Sequence, residues 1–100
     1  MATDSQRGYY ALVYKYVPDM INKRDVARNG HLEHFQALAA KKKLAMGGAF
    51  LEPLDQGLLI FRDSTKEEVE SYAQEDPYMK AGLITEWSVR KYAKVLGDVD

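Results

Sequence analysis

Ser64-Thr65-Lys66-Glu67 and Asp76-Pro77-Tyr78-Met79-Lys80-Ala81-Gly82 bracket the stretch on which the fold turns. The first has the spacing of a capping box, in which the Ser64 hydroxyl accepts from the third helical amide and Glu67 reaches back to the cap. The second ends the helix, because proline lacks a backbone donor and pushes the preceding residue out of the helical region. Asp76 is thereby placed as a carboxylate at the helix exit. Between the two signals Val69, Tyr72 and Ala73 share one face, as an amphipathic helix requires.

Outward from that helix the periodicity changes in a readable order. Upstream, Leu58-Leu59-Ile60-Phe61 reads as a strand, joined through Glu52-Pro53-Leu54-Asp55-Gln56-Gly57 to an apolar run over residues 44–51 that contains Gly47 and Gly48. Two antiparallel strands and a loop are expected there. Helical spacing appears before them at Leu32, Phe35, Leu38 and Ala39, running into Lys41, Lys42 and Lys43, cations that suit a helix C-terminus. Pro18 and Asp19 separate that helix from a first strand over residues 8–17, which is apolar or aromatic on both parities: Tyr10, Leu12, Tyr14, Tyr16 and Tyr9, Ala11, Val13, Val17. Residues 83–92 alternate loosely, with Trp87 and Val89 against Glu86, Ser88 and Arg90, and form the last strand.

The resulting order, βαββαβ, predicts an α+β, ferredoxin-like fold, a four-stranded antiparallel sheet with two helices on one face. Residues 8–96 are expected to form a single domain, after a disordered or extended segment over residues 1–7 and before a tail over residues 97–100. A first strand that is apolar on both parities leaves the open sheet face hydrophobic, which monomers rarely tolerate. A homodimer packed sheet to sheet through Tyr10, Leu12, Val13 and Tyr14 is the expectation.

Composition narrows the function classes. A chain of 100 residues with net charge −1 offers no clustered basic surface for nucleic acid. Zero cysteines exclude disulfides, thiolate metal sites and cysteine nucleophiles, and suit a reducing interior. No run approaches a membrane span, and Met1-Ala2-Thr3-Asp4-Ser5-Gln6-Arg7 lacks the apolar core of a secretory signal. A cytoplasmic protein is expected.

Arg28-Asn29-Gly30-His31-Leu32, Met46-Gly47-Gly48-Ala49, the strand from Gly57 to Phe61, and above all Asp76-Pro77-Tyr78 with Ala81-Gly82 make the chain resemble the YciI-like (YCII-related) family over nearly its whole length. That resemblance implies the ferredoxin-like fold, pairing as a dimeric α+β barrel, and a histidine and aspartate proposed as an active-site pair, which fall on His31 and Asp76. Some members are associated with elimination of chloride from hydroxylated aromatic rings, and others resemble muconolactone-isomerase-type enzymes. The chain departs from the usual pattern at Asn29-Gly30, where many members have proline after the arginine, and at Ser88-Val89-Arg90-Lys91-Tyr92, where proline and phenylalanine are common. Gly30 lowers helix propensity by about 1 kcal/mol, so the first helix is expected to begin at Asn29 or Gly30.

A histidine exchanges protons near neutral pH, and a carboxylate bonded to one ring nitrogen fixes the tautomer that leaves the other free. Asp76 would orient and His31 would transfer the proton, without a cofactor, on a small phenolic or enolisable substrate. Tyr10, Tyr14, Phe50 and Tyr78 would wall the cavity, with Gly48 and its neighbour Gly47 permitting close approach or forming a bulge. Arg28 would hold Asp76 or an anionic substrate group. His34 shares the helix with His31, but two histidines without a third ligand predict no metal site. Each residue also has a plainer role: a solvated helix-start histidine, a turn aspartate, packing aromatics. A non-catalytic dimeric module that binds a small molecule or a protein is the competing expectation.

Overall fold

Alternation along the first strand decides where the core lies. The computed structural model describes residues 6–97, and in its first strand, β1 (Gly8–Tyr16), Tyr10, Leu12 and Tyr14 are fully buried. Tyr9, Ala11 and Val13, on the other parity, are half-buried. β1 sits inside a four-stranded sheet with β2 (Leu44–Ala49), β3 (Gln56–Ser64) and β4 (Ile84–Tyr92), in the order β2-β3-β1-β4, every neighbouring pair antiparallel. The helical elements are α1 (Met20–Lys23), which runs into a 3-10 turn (Arg24–Val26), α2 (Arg28–Ala40), α3 (Lys66–Gln74) and α4 (Pro77–Lys80). This is the predicted ferredoxin-like α+β fold, with the two short helices α1 and α4 added to it.

Tyr10, Leu12, Tyr14, Leu59, Phe61 and Val89 of the sheet pack against Phe35 and Leu38 of α2 and Val69 and Ala73 of α3. Each buried Leu, Val or Phe among them contributes about 1.5–3 kcal/mol. Tyr10, Leu12 and Tyr14, which the sequence assigns to a sheet-to-sheet contact, therefore lie on the face that the helices cover; a period of two places all three on one side. Of that group only Val13 faces outward, where its neighbours in register are Leu58 and Ser88.

Helix ends correct the sequence reading in three places. Ser64 is still strand, opposite Gly8, with its hydroxyl donating to the Arg62 carbonyl at 2.9 Å. The capping box is one residue later: Thr65 accepts from the Glu68 amide at 3.2 Å, and Glu68 Oε1 accepts from the Thr65 amide at 3.0 Å. Second, α3 ends at Gln74, and Asp76 starts a helix instead of ending one, capping α4 with Pro77 in its first turn. Gly82 (φ 74°) closes α4, with the Leu83 amide donating to Tyr78 at 3.0 Å and the Gly82 amide to Met79 at 3.1 Å. Third, α2 begins at Arg28 on an uncapped Ala27, and its first internal bond runs from the His31 amide to the Ala27 carbonyl at 2.9 Å.

The register irregularity of β2 falls between Leu44 and Met46, while Gly47 and Gly48 pair regularly with Leu59 and Leu58. Residues 1–5 of the expected leading segment and residues 98–100 of the expected tail lie outside the described residues. Arg7 is tied down, with its guanidinium pairing with Glu68 at 3.0 Å and donating to the Asp63 carbonyl at 2.8 Å. Among the described residues no helix is long and apolar enough to cross a membrane.

Candidate active site

Capping α4 drives the Asp76 carboxylate back into the protein, where it is 0% exposed. Three groups donate to it there. The Tyr78 amide reaches Oδ1 at 3.0 Å, the Tyr14 hydroxyl reaches Oδ2 at 2.9 Å, and His31 Nδ1 lies 2.9 Å from Oδ1 and 3.0 Å from Oδ2. A buried carboxylate is tolerated when its lone pairs are filled in this way. Because Nδ1 faces an acceptor, it carries the proton, and the lone pair of the neutral ring is on Nε2.

The imidazole is clamped on its faces as well as through Nδ1. It stacks on the Tyr78 ring at 3.7 Å with an interplanar angle of 6°, and the Phe35 ring meets it edge-on at 5.2 Å. Gly30 supports this placement: a Cβ there would lie 3.0 Å from Pro77 Cγ, so its absence lets α4 lie close to α2. Nε2 makes no hydrogen bond to the described residues. Since every buried side-chain nitrogen and oxygen among them is partnered, Nε2 is open to solvent.

His31 lines a cavity of about 640 Å³ between α2, the β2 edge and the α1 segment. Phe35, Leu44, Leu54 and Leu59 give it an apolar body, Arg24, Arg28 and Tyr16 supply polar groups, and Tyr78 adds its ring. Among the described residues no aspartate or glutamate lines it, and no group of three or more His, Asp or Glu side chains is arranged to hold a metal. Gly57 makes room for one of these walls, since a methyl on it would overlap the Tyr16 hydroxyl.

Burial sets the phenol chemistry around the carboxylate. Tyr14 is pushed far above the ordinary phenol range, first by desolvation and then by the charge and hydrogen bond of Asp76. Burial, with Tyr78 and Asp76, raises Tyr16 to about 12, against the opposing pull of Arg24 and Arg28. Tyr78 rises for the same leading reason, offset by Arg28 and Arg24. All three phenols are neutral donors at physiological pH.

Of the residues singled out in the sequence, His31 and Asp76 are hydrogen-bonded partners, and Arg28, Gly48 and Tyr78 line the cavity beside them. Tyr14 touches the carboxylate from behind and is no cavity wall. Tyr10 is buried under the helices with its hydroxyl on the Gln6 carbonyl, and Phe50 is largely exposed, so neither lines this cavity. His34 turns away, with Nε2 2.8 Å from the Tyr72 carbonyl. Tyr16, Arg24 and Gln36 are polar lining residues that the sequence reading does not include. Arg24 stands four positions before Arg28, a helical spacing that a helical reading of residues 20–31 would have exposed.

The sequence pattern of the YCII-related domain matches residues 9–93. The chain belongs to the YCII-related domain family. Among solved structures, this YCII-related domain is similar to the 5-chloro-2-hydroxyhydroquinone dehydrochlorinase TftG of Burkholderia phenoliruptrix AC1100, determined in complex with 2,5-dihydroxybenzoquinone. The two are 25% identical with a TM-score of 0.74, over 85% of this chain and 93% of that one. No curated protein matches the YCII-related chain.

Proposed function

We propose that this protein is a small cofactor-free enzyme that moves protons on a hydroxylated, enolisable ring, with elimination of chloride from a chlorinated polyhydroxybenzene as the reaction class. The observation that carries this reading is His31, held through Nδ1 by the fully buried Asp76 while its ring borders a cavity. The TftG likeness supports a ring substrate. Asp76 is the orienting group, and His31 is the base and acid.

The chemistry needs no outside oxidant. Nε2 takes a proton from a ring hydroxyl, and the imidazolium returns it to the carbon that bears chlorine, making that carbon tetrahedral in a dienone. Nε2 then takes a second hydroxyl proton; the oxygen's electron pair flows through the ring, and the C–Cl bond breaks with its electrons leaving on chloride. The products are a hydroxyquinone, chloride and one proton. One residue that both gives and takes a proton suffices, which is the arrangement around Nε2.

We further infer that the working unit is a homodimer joined through the outer sheet face. Val13, Leu58 and Ile60 are central on that face, with the half-exposed Met46 and Tyr92 towards its edges. Apolar side chains at the centre of a sheet face without helices, with Lys15, Glu86 and Arg90 of the same face beside them, favour a second copy. The absence of cysteine fits a cytoplasmic setting.

Chloride release and quinone absorbance from 5-chloro-2-hydroxyhydroquinone and related chlorinated polyhydroxybenzenes test the proposal. His31→Ala should lower kcat by at least about 10²-fold, the scale of general acid-base catalysis, when assayed below a melting temperature that falls because Asp76 also loses a donor. Turnover by that variant at the wild-type rate refutes the role, and failure of every such ring to react favours a binding module.

A further inference from the structure

Two guanidinium groups border the cavity, and among the described residues no aspartate or glutamate lines it with them. Arg24 and Arg28 are both half-buried cavity residues, and neither forms an ion pair among the described residues. Half-buried arginines without an acid partner are poised for an anion from solution. Asp76, the acid behind this wall, is already filled by three donors.

The Tyr16 hydroxyl adds a neutral donor. It makes no hydrogen bond among the described residues, yet every buried polar side-chain atom among them is partnered, so this oxygen is reached by solvent. Its ring is fixed edge-on to Tyr78 at 6.1 Å and 90°, and the missing side chain of Gly57 leaves space for the hydroxyl. Both arginines act electrostatically on Tyr16 and Tyr78, which places the two cations and the two phenols in one neighbourhood.

We propose that Arg24, Arg28 and the Tyr16 hydroxyl form an oxyanion subsite in the His31 cavity, so that the protein takes its ring ligand as an anion in preference to the neutral form. The inference adds the substrate's charge to the site proposed above, and it rests on that reading only in treating the cavity as a ligand site. The apolar walls at Phe35, Leu44 and Leu59 receive the ring, the arginines and Tyr16 hold its oxyanion, and Nε2 is left for a second oxygen. A ring held as its monoanion already pushes electrons toward a leaving group, so the subsite would also assist elimination.

Absorbance titration of 4-nitrophenol, whose phenolate is coloured and which ionises near neutral pH, tests this without turnover. Bound to wild-type protein, the dye should ionise at least one pH unit lower than free dye, the signature of about tenfold tighter binding of the phenolate. Arg24→Gln and Arg28→Gln should each shrink that shift by threefold or more in binding ratio, and Arg24→Lys should restore part of it. Tyr16→Phe should weaken it less, and His31→Ala should shrink it less than Arg24→Gln does. No shift in the wild type, or a shift that His31→Ala abolishes and Arg24→Gln leaves intact, overturns the subsite. If no chlorinated ring reacts while the Arg24-dependent shift persists, the proton-transfer reading falls and the oxyanion subsite stands.

Discussion

Replacing Tyr14 with phenylalanine isolates one bond of the buried cluster. The ring is fully buried and stays, so packing changes by a single oxygen, while Asp76 loses one of its three donors. A hydrogen bond to a charged group contributes about 1.5–3 kcal/mol, so the variant should lose about 2 kcal/mol and melt roughly 8–16 °C lower. The deficit should depend on pH in a defined direction. Folding raises the Tyr14 phenol well above its ordinary value of 10.0. Below pH 10 both states keep the proton and the contribution is whole; above it the unfolded chain releases a proton that the folded chain retains, and stability falls. Near pH 11 the wild type should have lost about 1.4 kcal/mol that the phenylalanine variant does not lose, narrowing the gap between them. Urea unfolding of both proteins at about pH 7 and pH 11 reads this. Equal stability at neutral pH would refute the bond's contribution, and a gap that does not narrow would refute the account of the phenol.

Two further outcomes follow from the backbone and the sheet. Lys42 ends α2 in the left-handed region at φ 66°, with the Lys43 and Lys42 amides bonded back to Leu38 and Ala39 at 2.9 and 3.0 Å; Lys42→Gly relieves that conformation and should stabilise by about 0.5–1 kcal/mol, seen as a higher urea midpoint with unchanged slope. Sedimentation at micromolar concentration should give twice the 11.4 kDa chain mass, and Val13→Asp, a charge on the outer sheet face, should halve it; a wild-type monomer would refute the dimer.

The sheet and its two main helices were legible because each carries its own periodicity and punctuation: alternation in β1, helical spacing from Leu32 to Ala39, and the Asp76-Pro77 step. The errors arose where one residue could serve two elements. Ser64 and Thr65 are both good caps, and cross-strand pairing with Gly8 decided between them. Alternation in β1 gives two faces, but which of them the helices cover depends on long-range packing, so Tyr10, Leu12 and Tyr14, expected in a sheet-to-sheet contact, lie on the covered one. For the site, His31 and Asp76 came from the family resemblance, whereas Arg24 was hidden because α1 and the 3-10 turn are too short to show a period, and Tyr16, the last residue of β1, reads from its alternation only as a strand residue. Phe50, expected as a cavity wall, follows the end of β2 and lies largely exposed.

Asp76 has three duties that no single substitution can separate. It caps α4 through the Tyr78 amide, it joins α4 to the central strand through Tyr14, and it fixes the His31 ring. Removing its carboxylate leaves a phenol, an amide and an imidazole facing one another in a site closed to water, and loss of a buried charge partner costs about 3–5 kcal/mol. An inactive Asp76→Ala protein would therefore report on folding as much as on chemistry. Tyr14→Phe weakens the same carboxylate from the side away from the cavity, and His31→Ala removes the ring that borders the cavity. Both variants take one donor from Asp76 and should lose stability; if the cluster is only a structural clamp, neither should affect ring chemistry below its lowered melting temperature, and if it orients a base, His31→Ala should abolish turnover in protein that is still folded while Tyr14→Phe keeps most of kcat. Stability and turnover measured on these two variants thus separate the clamp from the catalyst.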